Sequence, residues 1–250
     1  MSIIVPTYRE AANLEELTRR LFSAIRGSGW EAELILVDDD SRDGTAELVE
    51  RLRREFEVRC ITRVGRRGLS TAVIEGLDAA RHDVLVVMDA DLQHPPELVP
   101  ILAAAIEEGG AQFVLASRYT EGGGIAENWS WIRRLASRTA CLLARGLTRV
   151  SDPMSGFFAL PRKTYARAAK LSPIGYKIAL ELIVKCGSPR VAEIPFRFDL
   201  RRHGESKFSL REQVNYVRHL LRLYAFRHGW KLSATLAGLI LLAAALAAIL

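Results

Sequence analysis

Short apolar runs alternate with helix-periodic segments. The runs are near-continuous Val, Ile and Leu, and polar residues gather where they end; together these predict an α/β fold on a doubly wound, mostly parallel sheet. The first run is SIIVP, and Leu14, Leu17, Leu21 and Ile25 then recur on one helical face. ELILVDDD reads as a second strand, TAELVERLRREF as a helix, VRCITR as a short strand and LSTAVIEGLDAA as a helix. DVLVVMDAD is a further strand, a helix opens at Glu97, and QFVLASR returns to the sheet. Such sheets bind ligands beyond the carboxyl ends of their strands. Thr7, Tyr8 and Glu10, Asp38 to Ser41, and Asp89 to Gln93 stand at those ends.

After Tyr119 the segment EGGG reads as a mobile loop, followed by a helix from about Trp129 to Leu147 and the stretch SDPMSGFF. VAEIPFRFDL reads as one strand, with Ile194, Phe196 and Phe198 alternating against polar partners, and Gly204 marks a turn in RRHGESKF. SLREQVNYVRHLLRLYAFRHGW sets Leu210, Val214, Val217, Leu221 and Tyr224 on one side of a helix and arginines on others. That pattern suits a helix lying at a membrane surface, or an ordinary helix packed on the domain. The run from Leu232 to Leu250 carries no charge, and its 19 residues would span about 28 Å as a helix, close to a bilayer core. The organisation expected is a domain over 1–208, an amphipathic juxtamembrane helix over 209–230 and a transmembrane helix over 232–250.

The net charge of +6 lies wholly in residues 201 to 231, which hold eight Lys or Arg and two Glu. A basic block directly before an apolar run predicts a cell-membrane protein whose N-terminal part faces the cytoplasm, and it weakens any nucleic-acid reading of the charge. Cys60, Cys141 and Cys186 form no CxxC and no even set, so neither a zinc site nor a disulfide framework is indicated. No GxGxxG follows the first strand and no GxxxxGK[ST] occurs, which argues against dinucleotide oxidoreduction and P-loop phosphoryl transfer.

Asp89 and Asp91 in an extended segment point to the same side, with Gln93 continuing the row. Hard oxygen ligands in such a row suit Mg²⁺ or Mn²⁺, which complete their shells with water and substrate phosphates. Alone the D-x-D is a weak signal, because Asp is common in turns after strands. Three consecutive Asp, at 38 to 40, repel one another and stay ionised only where solvent, a donor group or a cation offsets them. Asp43-Gly44 reads as turn chemistry.

IVPTYRE, VDDDSRDGT, VMDADLQHPPE and SDPMSGFF, in this order, resemble the GT-A domain of family 2 glycosyltransferases, and more narrowly the polyprenyl-phosphate mannosyltransferases of the dolichol-phosphate mannose synthase group. The resemblance runs from Ser2 to about Lys207. It implies transfer of a hexose from a nucleotide sugar, GDP-mannose, to a membrane polyprenyl phosphate, with Mg²⁺ or Mn²⁺ as cofactor. Position by position it implies Pro6, Tyr8, Glu10, Val37 and Asp39 around the base and ribose. It implies Asp89, Ala90, Asp91 and Gln93 at the diphosphate and metal, with Arg202 and Lys207 closing over the donor phosphates. For the acceptor phosphate it implies Arg118, then a helix with an Arg and a Ser four residues apart; Arg133 and Ser137 have that spacing, while Arg134 points elsewhere.

Plainer readings stand beside these: Pro6 as a strand end, Glu10 as a first-turn residue, Arg202 as part of a lipid-facing belt, Arg118 and Arg133 as surface arginines. Asp152 is a candidate for the sugar hydroxyls or for a cap. Of the histidines, only His94, beside the D-x-D, draws notice.

A polyprenyl phosphate is already an anion, so the reaction needs no protein base or nucleophilic Ser, Cys or His. Alignment and neutralisation of the leaving diphosphate remain, and inversion from an α-linked donor to a β-linked product is expected. The rivals are a polyprenyl-phosphate glucosyltransferase using a UDP-sugar and a catalytically silent membrane scaffold. A processive synthase is disfavoured by the missing Q-x-x-R-W.

Overall fold

A computed structural model of the chain describes residues 1–126, 131–198 and 210–229. Strands β1 (Ser2–Thr7), β2 (Glu33–Asp38), β3 (Val58–Thr62) and β4 (Val84–Val87) are parallel neighbours in the order β3-β2-β1-β4. The sheet continues through β7 (Phe158–Pro161), β5 (Phe113–Ser117) and β8 (Val191–Pro195). Only β7 runs against its neighbours, with Phe158 opposite Val87 and Leu115. Every other strand of this sheet therefore ends along one edge, and β7 begins there, so the SDPMSG segment reaches the same edge as Asp38 and Asp89.

Successive side chains of the inner strands enter opposite cores, as a strand requires. Ile3, Val5, Leu34, Leu36, Val84 and Val86 face the layer of α1 (Ala11–Ile25), α2 (Thr45–Leu52) and α4 (Val99–Glu107). Ile4, Ile35, Val37, Leu85 and Val87 face α3 (Leu69–Ala79) and α7 (Ile178–Lys185). Helix α3 lies so close that a Cβ at Gly76 would come within 2.4 Å of Ile4 Cγ2. A third cluster joins α5 (Trp131–Ala144), α7 and α8 (Leu210–His228) through Ala144, Leu180, Val184, Tyr216, Leu220 and Leu223.

Leu14, Leu17, Leu21 and Ile25 are all buried, as the helical period predicts. Several expected boundaries change. Helix α2 stops at Leu52, where the helix was expected to continue to Phe56. The strand holding DVLVVMDAD ends at Val87, and the chain bends through Ala90 to His94, with Leu92 at φ +61. The extended geometry expected to put Asp89 and Asp91 on one side is thus absent. EGGG is built into the structure: Gly124 and Ile125 form β6 (Gly124–Ile125), paired with β9 (Arg197–Phe198). That pairing divides VAEIPFRFDL between two sheets, with the break at Phe196.

Helix α8 has a covered and an uncovered side. Tyr216, His219, Leu220, Leu223 and Tyr224 are buried, whereas Val214 is 52% exposed and Val217 and Leu221 are half-buried. The helix has two apolar sides, and the expected stripe is mostly the one the protein does not cover. Among the described residues no helix is long and apolar enough to cross a membrane. The apolar run from 232 to 250, Gly204, Arg202 and Lys207 lie outside the described residues.

Candidate active site

Each of the three consecutive aspartates has its own partner. Asp38 accepts the Thr7 hydroxyl at 3.1 Å and the Ser41 N–H at 2.9 Å. Asp39 lies 2.9 Å from Arg63 Nε and accepts the Gly68 N–H at 2.8 Å. Asp40 meets Arg42 at 2.9 Å. Asp43 accepts the Thr45 N–H and hydroxyl and the Ala11 N–H, which is the turn role expected of it. Arg63 is fully buried and was not singled out in the sequence; its only signal is a charge closing the VRCITR strand.

Pro6 pairs in register with Val37 across β1 and β2. Val37 is fully buried, with Cγ2 facing Gly76 of α3, so only its backbone can meet a ligand. Tyr8 and Asp40 border an open hollow of about 750 Å³ together with Arg9, Arg42 and Arg67. The Arg67 guanidinium lies 4.4 Å from the centre of the Tyr8 ring. A planar aromatic group beside cations and carboxylates is a fitting surface for a nucleoside. Glu10 accepts the Asn13 amide at 2.7 Å at the start of α1.

A second cavity, of about 200 Å³, brings together Asp89, Arg118, Arg133, Ser137 and Lys177. Asp89 leaves the end of β4, Arg118 follows β5, and Arg133 and Ser137 lie four residues apart on α5. Arg134 is exposed. Opposite Asp89 stands Gly156, whose missing side chain leaves 3.4 Å between a would-be Cβ and the Asp89 carboxylate. Ala90 and Asp91 are buried, and Asp91 accepts the Gln93 N–H at 3.1 Å. His94 accepts the Asp89 N–H through Nδ1 at 3.0 Å and stacks on Phe157 with centroids 5.1 Å apart. That bond places the ring proton on Nε2, so His94 braces the D-x-D turn and forms no ion pair with Asp89.

Asp152 was expected to touch sugar hydroxyls or to cap a turn. Instead it is fully buried and receives Arg118 through Nε at 2.6 Å, Nη2 at 2.8 Å and the backbone N–H at 3.1 Å. Burial alone would push the Asp152 carboxyl up; the bonds from Arg118 more than reverse this and hold it below the usual carboxylate range. Burial likewise opposes the Arg118 charge, and the Asp152 carboxylate restores it. The guanidinium is thereby fixed in plane, 5.4 Å from the centre of the Phe198 ring of β9. Ser137 accepts the Tyr119 hydroxyl at 2.8 Å.

Lys177, at the entrance to α7, was missed in the sequence. Its Nζ donates to the Met154 carbonyl at 3.0 Å, and burial, then Arg118, lowers its ammonium to about 8. The cysteines supply no nucleophile, since burial pushes the Cys141 and Cys186 thiols up to about 11. The donors at the D-x-D are carboxylate and amide oxygens, a set that fits a hard divalent cation finishing its shell with water and phosphate. Among the described residues no group of three or more His, Cys, Asp or Glu could hold a metal ion by itself.

The profile of Glycosyl transferase family 2 matches residues 2–166. A dolichol-phosphate mannosyltransferase of Pyrococcus furiosus is 44% identical over 227 residues, covering 89% of this chain and 63% of the relative. The chain thus spans just under two thirds of that relative's length. A dolichol-phosphate mannosyltransferase of Mycosarcoma maydis is 45% identical over 236 residues, 91% of this chain and 80% of its own. Among solved structures, glucosyl-3-phosphoglycerate synthase of Mycobacterium tuberculosis in complex with Mn²⁺, UDP and glucosyl-3-phosphoglycerate superposes with a TM-score of 0.65 at 22% identity. It covers 91% of this chain and 79% of that one, a likeness of fold.

Proposed function

The chain belongs to glycosyl transferase family 2, and from that premise we propose that it transfers mannose from GDP-mannose to a polyprenyl phosphate of dolichyl type, with inversion at the anomeric carbon. The observation that carries this reading is the cavity in which the Asp89 carboxylate faces Arg118, Arg133 and Ser137. A carboxylate suited to a metal–diphosphate and arginines suited to a phosphate meet across one small space, as a displacement between two phosphate-bearing substrates requires. The names of the relatives at 44% and 45% identity point the same way.

In this reading the hollow beside Tyr8 takes the nucleoside, with Asp39 towards the ribose. Asp89, Asp91 and Gln93 would hold Mg²⁺ or Mn²⁺, which when bound neutralises charge on the departing diphosphate. Arg118, held flat by Asp152, and Arg133 with Ser137 orient the acceptor phosphate for in-line attack. That phosphate arrives ionised, so no side chain has to take a proton. Arg202 and Lys207 are proposed to close over the donor, and residues 232–250 to anchor the chain in the cell membrane with 1–208 on the cytoplasmic face. The uncovered side chains of Trp131, Leu135, Leu142 and Val214 support a lipid-facing side for α5 and α8.

The test offers GDP-mannose, UDP-glucose and UDP-N-acetylglucosamine to the detergent-solubilised protein with dolichyl phosphate, with and without Mg²⁺ or Mn²⁺. Metal-dependent transfer from GDP-mannose to a β-linked product by NMR is expected. Transfer from a UDP-sugar alone, or an α-linked product, rejects this assignment.

A further inference from the structure

Lys177 has a feature the other charged groups of the cavity do not share. Its ammonium carries three donors; among the described residues one goes to the Met154 carbonyl, the centre of the Tyr176 ring lies 4.2 Å from Nζ, and no carboxylate forms an ion pair with it. Arg118, its neighbour in the cavity, is already matched in charge by the buried Asp152. Lys177 is half-buried, and a partly desolvated ammonium with donors left over is a fitting partner for an anion that enters the cavity. It lines the same cavity as Asp89, Arg118, Arg133 and Ser137. Met154 belongs to the SDPMSG segment, which enters this edge because β7 runs antiparallel, and its carbonyl aims the lysine inward.

We propose that Lys177 is a further catalytic residue of the transfer reaction, donating directly to the phosphate of the polyprenyl acceptor. This rests on the function proposed above. A phosphate close to dianionic then meets Lys177 as well as the two arginines, and the charge that Asp152 cancels at Arg118 is replaced by an ammonium approaching from α7.

Lys177→Gln separates this from a structural role, because it removes the charge while keeping an N–H donor and most of the side chain's length. With whichever donor the wild type turns over, Lys177→Gln should raise KM for dolichyl phosphate about tenfold or more. KM for the nucleotide sugar should stay within about twofold and the melting temperature close to wild type, and Lys177→Arg should recover most of the acceptor affinity. A Gln variant with wild-type acceptor KM overturns the proposal, as does an equal rise in donor KM or a loss of folded protein that accounts for the change. A wild type inert towards every sugar donor rejects the functional reading and this inference together; an active wild type with unaffected variants rejects this inference alone.

Discussion

Each wall of the cleft holds one buried Arg–Asp pair, and the two are built in opposite senses. On the donor wall the arginine is the buried member: Arg63 is 1% exposed and Asp39 9%. On the acceptor wall the acid is buried: Asp152 is 0% exposed and Arg118 9%. In the function proposed above, the less buried member would meet ligand and the other would support it, so that Asp39 would offer a carboxylate to ribose hydroxyls and Arg118 a guanidinium to phosphate. The pairs also differ in geometry. Arg118 and Asp152 make a two-bond fork with a third bond from the backbone. Arg63 and Asp39 approach to 2.9 Å without a well-aligned hydrogen bond, and Asp39 divides its oxygens between Arg63 and the Gly68 N–H. A fork fixes a plane, whereas a shared carboxylate fixes a loop.

Asp152→Ala should have the largest effect, because it leaves a guanidinium at a buried site without its counter-charge. A loss of about 3–5 kcal/mol is expected in denaturant unfolding, with acceptor use falling far more than nucleotide binding. A loss under about 1 kcal/mol would show that the fork carries little of the wall. Arg63→Met should cost less, about 1–3 kcal/mol, since Asp39 keeps the Gly68 N–H. Its kinetic signature should appear in KM for the nucleotide sugar, with acceptor KM unchanged; a change confined to the acceptor would break the division of the walls. Tyr119→Phe should have the smallest effect, removing one hydrogen bond to Ser137 for about 0.5–1.5 kcal/mol and raising acceptor KM a few-fold in steady-state assays.

The donor wall was largely legible because parallel strands covered on both faces announce themselves as apolar runs, and their polar ends fall at one edge. SIIVP, ELILVD and DVLVV gave the strands, and the aspartates after them stood out. The aspartates' partners did not, since Arg63 looks like any charge at the end of a half-buried strand. On the acceptor wall the spacing of Arg133 and Ser137 was readable, but the elements around them were not. Strand β7 hides within SDPMSGFFALP, with nothing local to mark its reversed direction. Helix α7 is buried throughout from Ile178 to Val184, so it lacks the polar face by which a helix is recognised, and Lys177 at its entrance goes unmarked. The packed face of α8 was not readable for a related reason: a helix apolar on two sides does not say which side the protein covers.

The reversed strand has a consequence for the order in which a ribosome can complete this molecule. Strand β5 pairs only with β7 and β8, both later in the chain, and β4 keeps a bare edge until Phe158–Pro161 has emerged. The segment that leads to Arg118 is therefore unpaired, and the one that leads to Asp89 is open on one edge, for more than forty residues of synthesis after β5 ends. The four residues of β7 are what joins the strand leading to Asp89 to the strand leading to Arg118.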